Sequence, residues 1–344
     1  MGLCKPLGYY WSEGVAFPSE WTDPTSAAPP RPMARYEPLM TDVPGSLPPV
    51  APQLNAAAAT VGPFRASRLA VVGTGVMAEA ITSGLLRQGL LAPSQVACSH
   101  PRPARRDQLR LTLGVDVTAD NGEAVEGADL VLLAVKPQVL PRVLPEVSHK
   151  LTAGALVVSI VAGASTKVLG RALGHPPLVR AMPNTPAQIG AGMTVWFSTP
   201  DVGPADLRRA QLLLAALGEE IQVQDEAQVA MATAVSGTGP TYTLLFIESL
   251  IDAAVHLGFP RHVARRLVLS TASGSVAFAA QSNKHVSELR DMVTSPGGTS
   301  AEALAALERG RFRTVLSDAV WAAYRRTVQL EATLEGAPVA PPPD

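Results

Sequence analysis

A short stretch near the carboxyl end, TSPGGTS at residues 294–300, carries residue types that can bind a small anion. Gly297 and Gly298 let backbone N–H groups converge on a carboxylate or phosphate, and the apolar segment that follows predicts a helix beginning there. The hydroxyl-bearing side chains beside the glycines are Ser295, Thr299 and Ser300. Serine and threonine also suit an ordinary helix N-cap, so the stretch alone supports both interpretations.

A second candidate site follows the apolar run 68–73. Gly73, Gly75 and Ala78 form G-x-G-x-x-A between that run and a segment with helical spacing. The first glycine permits a tight turn, the second lets a pyrophosphate approach the backbone, and the alanine lets helix and strand pack closely. The pattern predicts a dinucleotide site, with a tight structural turn as the alternative. The residues of this site are Gly73, Thr74, Gly75, Val76, Met77 and Ala78.

The end of the next apolar run, residues 95–100, bears on which dinucleotide is bound. NAD-binding chains usually place an acidic residue there to hold the ribose hydroxyls, but none occurs here before Asp107. Ser99 supplies a hydroxyl, and the arginines that follow are Arg102, Arg105 and Arg106. Hydroxyl and guanidinium groups suit a 2′-phosphate, which favours NADPH, with NADH as an alternative. The arginines would otherwise only solvate the start of a helix.

Other candidates lie where apolar runs end, because doubly wound sheets bind ligands at the carboxyl ends of their strands. Lys136 and Pro137 end the run 129–135, and Asn121 follows an earlier run. Val161–Gly163 closes the run 155–161 with a glycine where backbone could approach a ligand. Ordinary strand exits are the alternative.

The hydrophobic pattern changes character along the chain. Between residues 67 and 224, short apolar runs alternate with helical patterns, which predicts a Rossmann-type, doubly wound α/β domain with a parallel sheet covered on both faces. Runs at 192–198 and 220–224 are predicted as edge strands. From 225 to 334 only helical patterns occur, notably 241–258, 261–281 and 312–334. These helices are apolar on more than one face, so an all-α dimerisation domain with a subunit interface is expected.

The two ends of the chain differ from this pattern. Residues 1–66 are rich in proline and alanine and are predicted to be a disordered extension, with an over-long start assignment as the alternative. Residues 335–344 are predicted to be a disordered tail.

Composition excludes several classes of function. The 344 residues carry a net charge of -1, so nucleic acid and anionic membranes are poor partners. No apolar run reaches the roughly 18 residues of a transmembrane helix. The two cysteines and six histidines show no metal-ligand spacing, so neither a disulfide framework nor a metal site is expected. Without a clear targeting signal the cytoplasm is favoured, with an organelle as the alternative in a eukaryote.

Taken in order, several motifs closely resemble the pyrroline-5-carboxylate reductase family over residues 68–330. They are GTGVMA, AVKPQ, SIVAG, VRAMPNTPAQIGAG, AVSGTGPTY and TSPGGTSAEAL. The resemblance implies NAD(P)H-dependent reduction of L-1-pyrroline-5-carboxylate to L-proline. It also implies a Rossmann domain followed by a helical domain that interlocks with a second subunit, in homodimers that can assemble into decamers.

The resemblance further implies roles for individual residues. Ser99 and Arg102 would face the 2′-phosphate, and the TSPGGTS residues Ser295, Gly297, Gly298, Thr299 and Ser300 would bind the substrate. The chemistry of the imine then predicts two catalytic hydroxyls: Ser300, which donates to the ring nitrogen or relays a proton, and Thr299 as a further donor. The residues implied along the adenosine and nicotinamide portions are Asn121, Ala134, Val135, Lys136, Pro137, Val161, Ala162, Gly163, Met182 and Asn184. Most relatives have threonine at the last position of the loop, where this chain has Ser300, so the hydroxyl is kept.

Three alternatives remain at the level of sequence. A β-hydroxyacid dehydrogenase usually needs a lysine on the long second-domain helix, and residues 241–281 contain none. A non-catalytic NADP-sensing protein would be favoured by loss of the TSPGGTS hydroxyls, which are present. A reductase for a related cyclic imine, such as a six-membered ring, would differ from a pyrroline-5-carboxylate reductase only in the volume of its substrate pocket.

Overall fold

The computed structural model describes Phe64 and residues 67–175 and 177–336. The extension predicted over residues 1–66 lies outside the described residues except for Phe64, and so does the predicted tail beyond Gly336.

The centre of the fold is one eight-stranded sheet. Its strands are β1 (Leu69–Val72), β2 (Val96–Ser99), β3 (Asp116–Thr118), β4 (Leu130–Leu133), β5 (Leu156–Ser159), β6 (Leu178–Met182), β7 (Gly192–Ser198) and β8 (Gly218–Gln222). Their spatial order is β3-β2-β1-β4-β5-β6-β7-β8, and β1 to β6 are all parallel. This is the arrangement of a dinucleotide-binding sheet, whose crevice lies where β1 adjoins β4.

The prediction of two edge strands is wrong for β7. This strand pairs antiparallel with β6 and parallel with β8, so only β8 lies at that edge of the sheet. The short connection over Thr185–Ile189 returns the chain directly beside β6, which forces the antiparallel direction. Trp196 of β7 is accordingly only 2% exposed, as suits a covered strand.

Helices cover both faces of the sheet. They are α1 (Val76–Arg87), α2 (Pro103–Leu113), α3 (Asn121–Val125), α4 (Leu140–Ser148), α5 (Thr166–Leu173) and α6 (Pro204–Ala215). Alternate residues of β1 enter different cores: Leu69 and Val71 pack in one, and Ala70 and Val72 in the other. Since side chains alternate along a strand, burial on both faces is what the continuous apolar runs predicted.

The remainder of the described chain, from α7 onward, is helical and is called the helical half below. It comprises α7 (Ala227–Ala232), a turn of π-helix at Thr233–Gly237 (the π turn), α8 (Gly239–His256), α9 (Arg261–Gln281), α10 (Val286–Met292), α11 (Thr299–Arg309) and α12 (Phe312–Glu335). The three predicted long helices are confirmed. None of the described helices is long and apolar enough to cross a membrane.

Within a single chain the helical half leaves much of its apolar surface exposed. None of the residues of α8 is buried, and Leu244 and Leu245 are each 62% exposed. Val276 of α9 and Trp321 of α12 are also more than half exposed. Exposure of large apolar side chains on several helices marks a protein interface, as the apolar helices predicted.

A charge placed on this surface should separate the subunits. We expect Leu245→Glu to lower the mass in light scattering towards the 35.9 kDa of one chain, because an unpaired carboxylate would be buried at the interface. Leu111→Glu is the matched control, since Leu111 is 87% exposed on α2 of the sheet half. An unchanged mass for Leu245→Glu would place the interface elsewhere.

The turn between β1 and α1 lies in close contact with Val135, which follows the neighbouring strand β4. Gly73 has φ +83°, and a Cβ there would lie 2.5 Å from Val135 Cγ1 and 3.1 Å from the Val135 backbone. Both the left-handed backbone and the contact with Val135 require glycine.

Alanine substitutions at two glycines should separate the cost of the left-handed backbone from the cost of contact with Val135. We expect Gly73→Ala to lower the free energy of unfolding by about 1–2 kcal/mol for the left-handed backbone, plus about 1–3 kcal/mol for overpacking against Val135. Gly89→Ala is the control, since Gly89 has φ +65° and its Cβ would meet nothing within 4 Å. Urea denaturation measures both, and equal losses would mean that contact with Val135 contributes nothing.

Candidate functional site

The glycine-rich turn at Gly73–Gly75 presents open backbone at the N-terminus of α1. Gly75 is the N-cap residue and no side chain caps this helix end. A Cβ at Gly75 would meet only the Gly73 carbonyl, at 4.0 Å, so the approach is unobstructed. The first-turn N–H groups of a helix have no intrahelical acceptor and favour an anion. These features fit the pyrophosphate of a dinucleotide.

Ser99 and Asn121 lie behind this turn and hold it in place. The Ser99 hydroxyl is fully buried, accepts a hydrogen bond from the Gly73 N–H at 3.3 Å and donates to Asn121 Oδ1 at 2.7 Å. Asn121 Nδ2 in turn donates to Glu146 Oε2 at 2.6 Å. Both side chains are therefore occupied by the fold, and their placement supports the conformation of the turn.

The three predicted arginines have different environments. Arg105 is paired with Glu79 at 2.6 Å and its Nε lies 3.5 Å from the Thr74 carbonyl oxygen, so it braces the glycine-rich turn. Arg106 donates to the carbonyl oxygens of His100 and Pro101.

Arg102 is the arginine left available to a ligand. It is exposed at the start of α2, and its side chain makes no ion pair or hydrogen bond within the described part of the chain. Burial lowers the pKa of the adjacent His100, and the nearby positive charges of Arg102, Arg105 and Arg106 lower it further. This strand end is therefore electropositive, as a 2′-phosphate site requires.

The exits of β4 and β5 reach the same edge of the sheet. Ala134 donates its N–H to the Val72 carbonyl at 2.9 Å, which continues the pairing of β1 and β4 up to the glycine-rich turn. Lys136 is exposed and precedes a short helical turn that begins at Pro137. Val161 is buried and donates its N–H to Ser159 Oγ at 3.3 Å, while Ala162 is partly exposed.

Gly163 serves the packing of the helical half against the sheet. It has φ +75°, and a Cβ there would lie 3.0 Å from Leu330 Cβ of α12. Its missing side chain therefore admits α12, an explanation for this glycine that the sequence pattern did not suggest.

The exit of β6 meets the π turn. Asn184 Nδ2 donates to the Ser236 carbonyl at 3.2 Å, and Asn184 Oδ1 accepts from the Met193 N–H at 3.0 Å. A Cβ on Gly237 would lie 3.1 Å from Met182 Cε. The AVSGTGP segment therefore lies against the exit of β6, and π turns recur at functional sites.

The TSPGGTS loop joins α10 to α11, and the hydroxyls that flank its glycines are available. The Thr294 hydroxyl is used, since it donates to the Arg290 carbonyl at 2.8 Å. Gly298 is the N-cap residue of α11, with no side-chain cap, so the serine and threonine residues are not used for capping. Gly297 has φ +67°, and a Cβ on Gly298 would lie 2.5 Å from Ser295 Oγ, so both positions require glycine.

Thr299 and Ser300 are the first two residues of α11. Their hydroxyls have no hydrogen-bond partner among the described residues, and Thr299, Ser295 and Gly297 are exposed. The fold therefore makes no use of these groups.

Several other polar residues have structural roles or are unreactive. His285 caps α10 by accepting from the Ser287 N–H at 3.3 Å. Asp252 forms an ion pair with Arg261 at 2.9 Å. Cys98 is buried and free, and burial raises the pKa of its thiol to about 11, so it is a poor nucleophile.

Sequence reasoning missed one buried charge cluster. Arg180 of β6 is 3% exposed and forms ion pairs with Glu226, at 3.1 Å, and with Glu331 of α12. The available signal was an arginine within the apolar run 177–183, since arginine is almost never fully buried unless it is paired.

Comparison with known proteins gives two family matches in this chain. Residues 226–330 match the model described as pyrroline-5-carboxylate reductase dimerisation, and residues 68–163 match that described as NADP oxidoreductase, coenzyme F420-dependent. The first covers the helical half and the second most of the parallel sheet.

Individual relatives extend over nearly their whole length. A pyrroline-5-carboxylate reductase of Synechocystis sp. is 42% identical over 266 residues, which are 76% of this chain and 98% of the relative. The Escherichia coli enzyme of the same name is 35% identical, over 76% of this chain and 98% of its own length.

Solved structures agree with these relatives. A pyrroline-5-carboxylate reductase from Coxiella burnetii matches with a TM-score of 0.71 and 34% identity, over 77% of this chain and 98% of that one. The pyrroline carboxylate reductase of Plasmodium falciparum, solved with NADP bound, matches with a TM-score of 0.72 and 30% identity over the same shares. With these similarities and the Rossmann-type and helical halves described above, this chain belongs to the pyrroline-5-carboxylate reductase family.

Proposed function

We propose that this chain catalyses the NAD(P)H-dependent reduction of L-1-pyrroline-5-carboxylate to L-proline, the last step of proline synthesis. The observation that carries the proposal is the start of α11, where the N–H groups of Thr299 and Ser300 and their two hydroxyls have no partner among the described residues. Groups left open in this way suit a small anionic ligand with one further polar atom.

The reaction depends on orientation of the substrate and on electrostatic stabilisation more than on a strong acid or base. Bound NAD(P)H supplies the hydride that reaches the imine carbon, and the ring nitrogen ends as an amine after taking up a proton. A protonated imine is already a good electrophile, so the protein has to orient it and shield it. A reactive cysteine is not required, which agrees with the raised pKa of Cys98.

Within the TSPGGTS loop we assign separate tasks to backbone and side chains. The Gly298 N–H donates to the Ser295 carbonyl at 3.0 Å, which closes the turn. The N–H groups of Gly297 and of the first turn of α11, with the Ser295 hydroxyl, bind the substrate carboxylate. Thr299 adds a second hydroxyl. Ser300 donates a hydrogen bond to the ring nitrogen or relays a proton to it.

At the cofactor end, the residues proposed to hold the dinucleotide follow the strand exits. Gly73–Ala78 binds the pyrophosphate, with Ser99 and Asn121 supporting the turn from behind. Arg102 binds the 2′-phosphate. The segments proposed for the nicotinamide side are Ala134–Pro137, Val161–Gly163 and Met182–Asn184. The second and third of these segments contact the helical half within one chain.

This protein is a homo-oligomer, and we propose that its substrate site is assembled between two subunits. The TSPGGTS loop and α8 are both exposed in a single chain. This exposure supports a substrate pocket that is completed by contact with a partner subunit. The homodimer, its assembly into decamers and the cytoplasmic location remain predictions from the sequence.

Removal of the Ser300 hydroxyl should impair turnover selectively. We expect Ser300→Ala to lower kcat by about tenfold to a hundredfold, the range of a lost proton-transfer or hydrogen-bonding group, while NADPH still binds. Ser300→Thr is the control, since it keeps the hydroxyl and should retain most of the activity. Steady-state rates and NADPH titration check both, and unchanged turnover in Ser300→Ala would remove the assigned role.

Removal of Arg102 should discriminate between the two cofactors. We expect Arg102→Ala to raise the Kd for NADPH by about tenfold or more, as a lost hydrogen bond to a charged group would, and to leave the Kd for NADH close to wild type. Arg110→Ala on the same helix is the control, since Arg110 is paired with Asp107 at 2.8 Å.

Arg105 should behave differently from Arg102. Arg105→Ala should weaken both cofactors, because Arg105 braces the turn that holds the pyrophosphate. Equal loss of both cofactors in Arg102→Ala would show that this arginine does not bind the 2′-phosphate.

The proposed reaction is tested by following absorbance at 340 nm with purified protein, NADPH or NADH, and pyrroline-5-carboxylate. Imine-dependent oxidation, faster with NADPH, is expected. Binding of NADPH without oxidation would instead favour the NADP-sensing alternative, and oxidation only with a six-membered cyclic imine would favour the related reductase.

A further inference from the structure

Arg180 is a permanently charged side chain in the interior of the fold. It lies in β6 with 4% of its side chain exposed, and it reaches two carboxylates of the helical half. One belongs to Glu226, which precedes α7, and the other to Glu331 near the end of α12. Because guanidinium is not deprotonated in proteins, Arg180 must be paired wherever it is buried.

One carboxylate of this group also contacts the sheet half directly. The Glu226 carboxylate also accepts from the Thr166 N–H at 2.7 Å and from the Thr166 hydroxyl at 2.5 Å, at the first turn of α5. Arg180, Glu226, Glu331 and Thr166, called the Arg180 cluster below, therefore bind two parts of the helical half to two elements of the sheet half.

The Arg180 cluster lies beside the segments proposed for the nicotinamide. Glu331 adjoins Leu330, whose Cβ packs on Gly163 at the exit of β5. Arg180 lies two residues before Met182, which contacts Gly237 of the π turn. The same contacts that seat α12 and the π turn thus border the exits of β5 and β6.

Stability alone is a weak explanation for such a cluster. Buried ion pairs are often no more stabilising than well-packed apolar residues, because desolvation offsets their attraction. Such a pair does restrict geometry, since a planar guanidinium binds two carboxylates only within a narrow range of orientations. The cluster therefore fixes the angle between α12 and the sheet more closely than apolar contacts would.

We propose that Arg180 is a positioning residue, which holds the helical half at the angle that sets the distance between hydride donor and imine. The inference rests on the proposed function. The TSPGGTS loop leads into α11, which a short connection joins to α12. We therefore expect a change in the tilt of α12 at the cluster to move the substrate groups of the loop. Displacement by about 1 Å can lower a rate about a hundredfold.

Arg180→Met tests the proposal in the full-length oligomer. We expect the Kd for NADPH to change little, since the glycine-rich turn and Arg102 are distant in the sheet. The kcat for imine reduction should fall by about tenfold to a hundredfold. The primary isotope effect on kcat, measured with NADPH deuterated at the transferred position, should rise because hydride transfer becomes rate-limiting.

Matched variants separate positioning from loss of fold. Arg180→Lys keeps the charge without the planar fork and should recover part of the rate. Glu331→Gln leaves the Arg180–Glu226 pair and should change kcat in the same direction by less. Lys167→Met is the control, since Lys167 and Glu335 form an exposed pair across the same junction at 3.6 Å, with 67% of the lysine side chain exposed.

A readout independent of turnover accompanies these rates. Hydrogen exchange of residues 161–163, 182–184 and 233–237 should be faster in Arg180→Met, while exchange in β1 and α1 is unchanged. Titration with NADPH counts the folded sites, so a rate loss explained wholly by fewer sites would contradict positioning. An unchanged isotope effect and unchanged exchange in Arg180→Met and Glu331→Gln would also overturn the inference.

Failure of the proposed function has a different signature. Wild-type protein that binds NADPH but oxidises none with pyrroline-5-carboxylate would refute the reaction itself. Hydrogen exchange would still decide whether the Arg180 cluster holds the junction.

Discussion

Strands β1, β2, β4 and β5 are buried along their whole length, and this burial on both faces confines polar chemistry to the strand ends. A polar group in the middle of such a strand would lose its hydration without a partner. The glycine-rich turn, the arginines after β2 and Lys136 after β4 therefore lie at one edge of the sheet. A parallel arrangement brings these exits together, and the crevice between β1 and β4 becomes the place where a dinucleotide fits.

Arg180 is a charged residue within a buried strand rather than at a strand end, and its contacts show how the two halves are joined. It occupies a strand position that neighbouring apolar residues would suit, yet its partners come from residues 46 and 151 positions away in sequence. Gly163 contributes at the same junction by letting α12 approach the exit of β5. A charged contact and a missing side chain together seat the helical half against the ends of the strands.

The helical half completes its own packing only with another chain. Apolar helices such as α8 cannot be buried by the described part of one chain, so association supplies the missing core. The Thr299 and Ser300 hydroxyls of the TSPGGTS loop likewise have no partner within the described part of one chain. In the function proposed above, the subunit contact that buries these helices also completes the substrate pocket.

Sequence by itself determined the periodic and local features. Apolar runs predicted the strands, helical spacing predicted the long helices, and G-x-G-x-x-A and TSPGGTS marked two glycine-rich turns at helix N-termini, because each depends on neighbouring residues. Tertiary structure decided which side chains of those segments are available. Ser99 is turned inwards, Arg105 is paired and Arg102 is open, and β7 runs antiparallel inside the sheet. Such outcomes, like the Arg180 cluster, depend on partners far away in the chain, and single-sequence patterns carry no information about pairing at that distance.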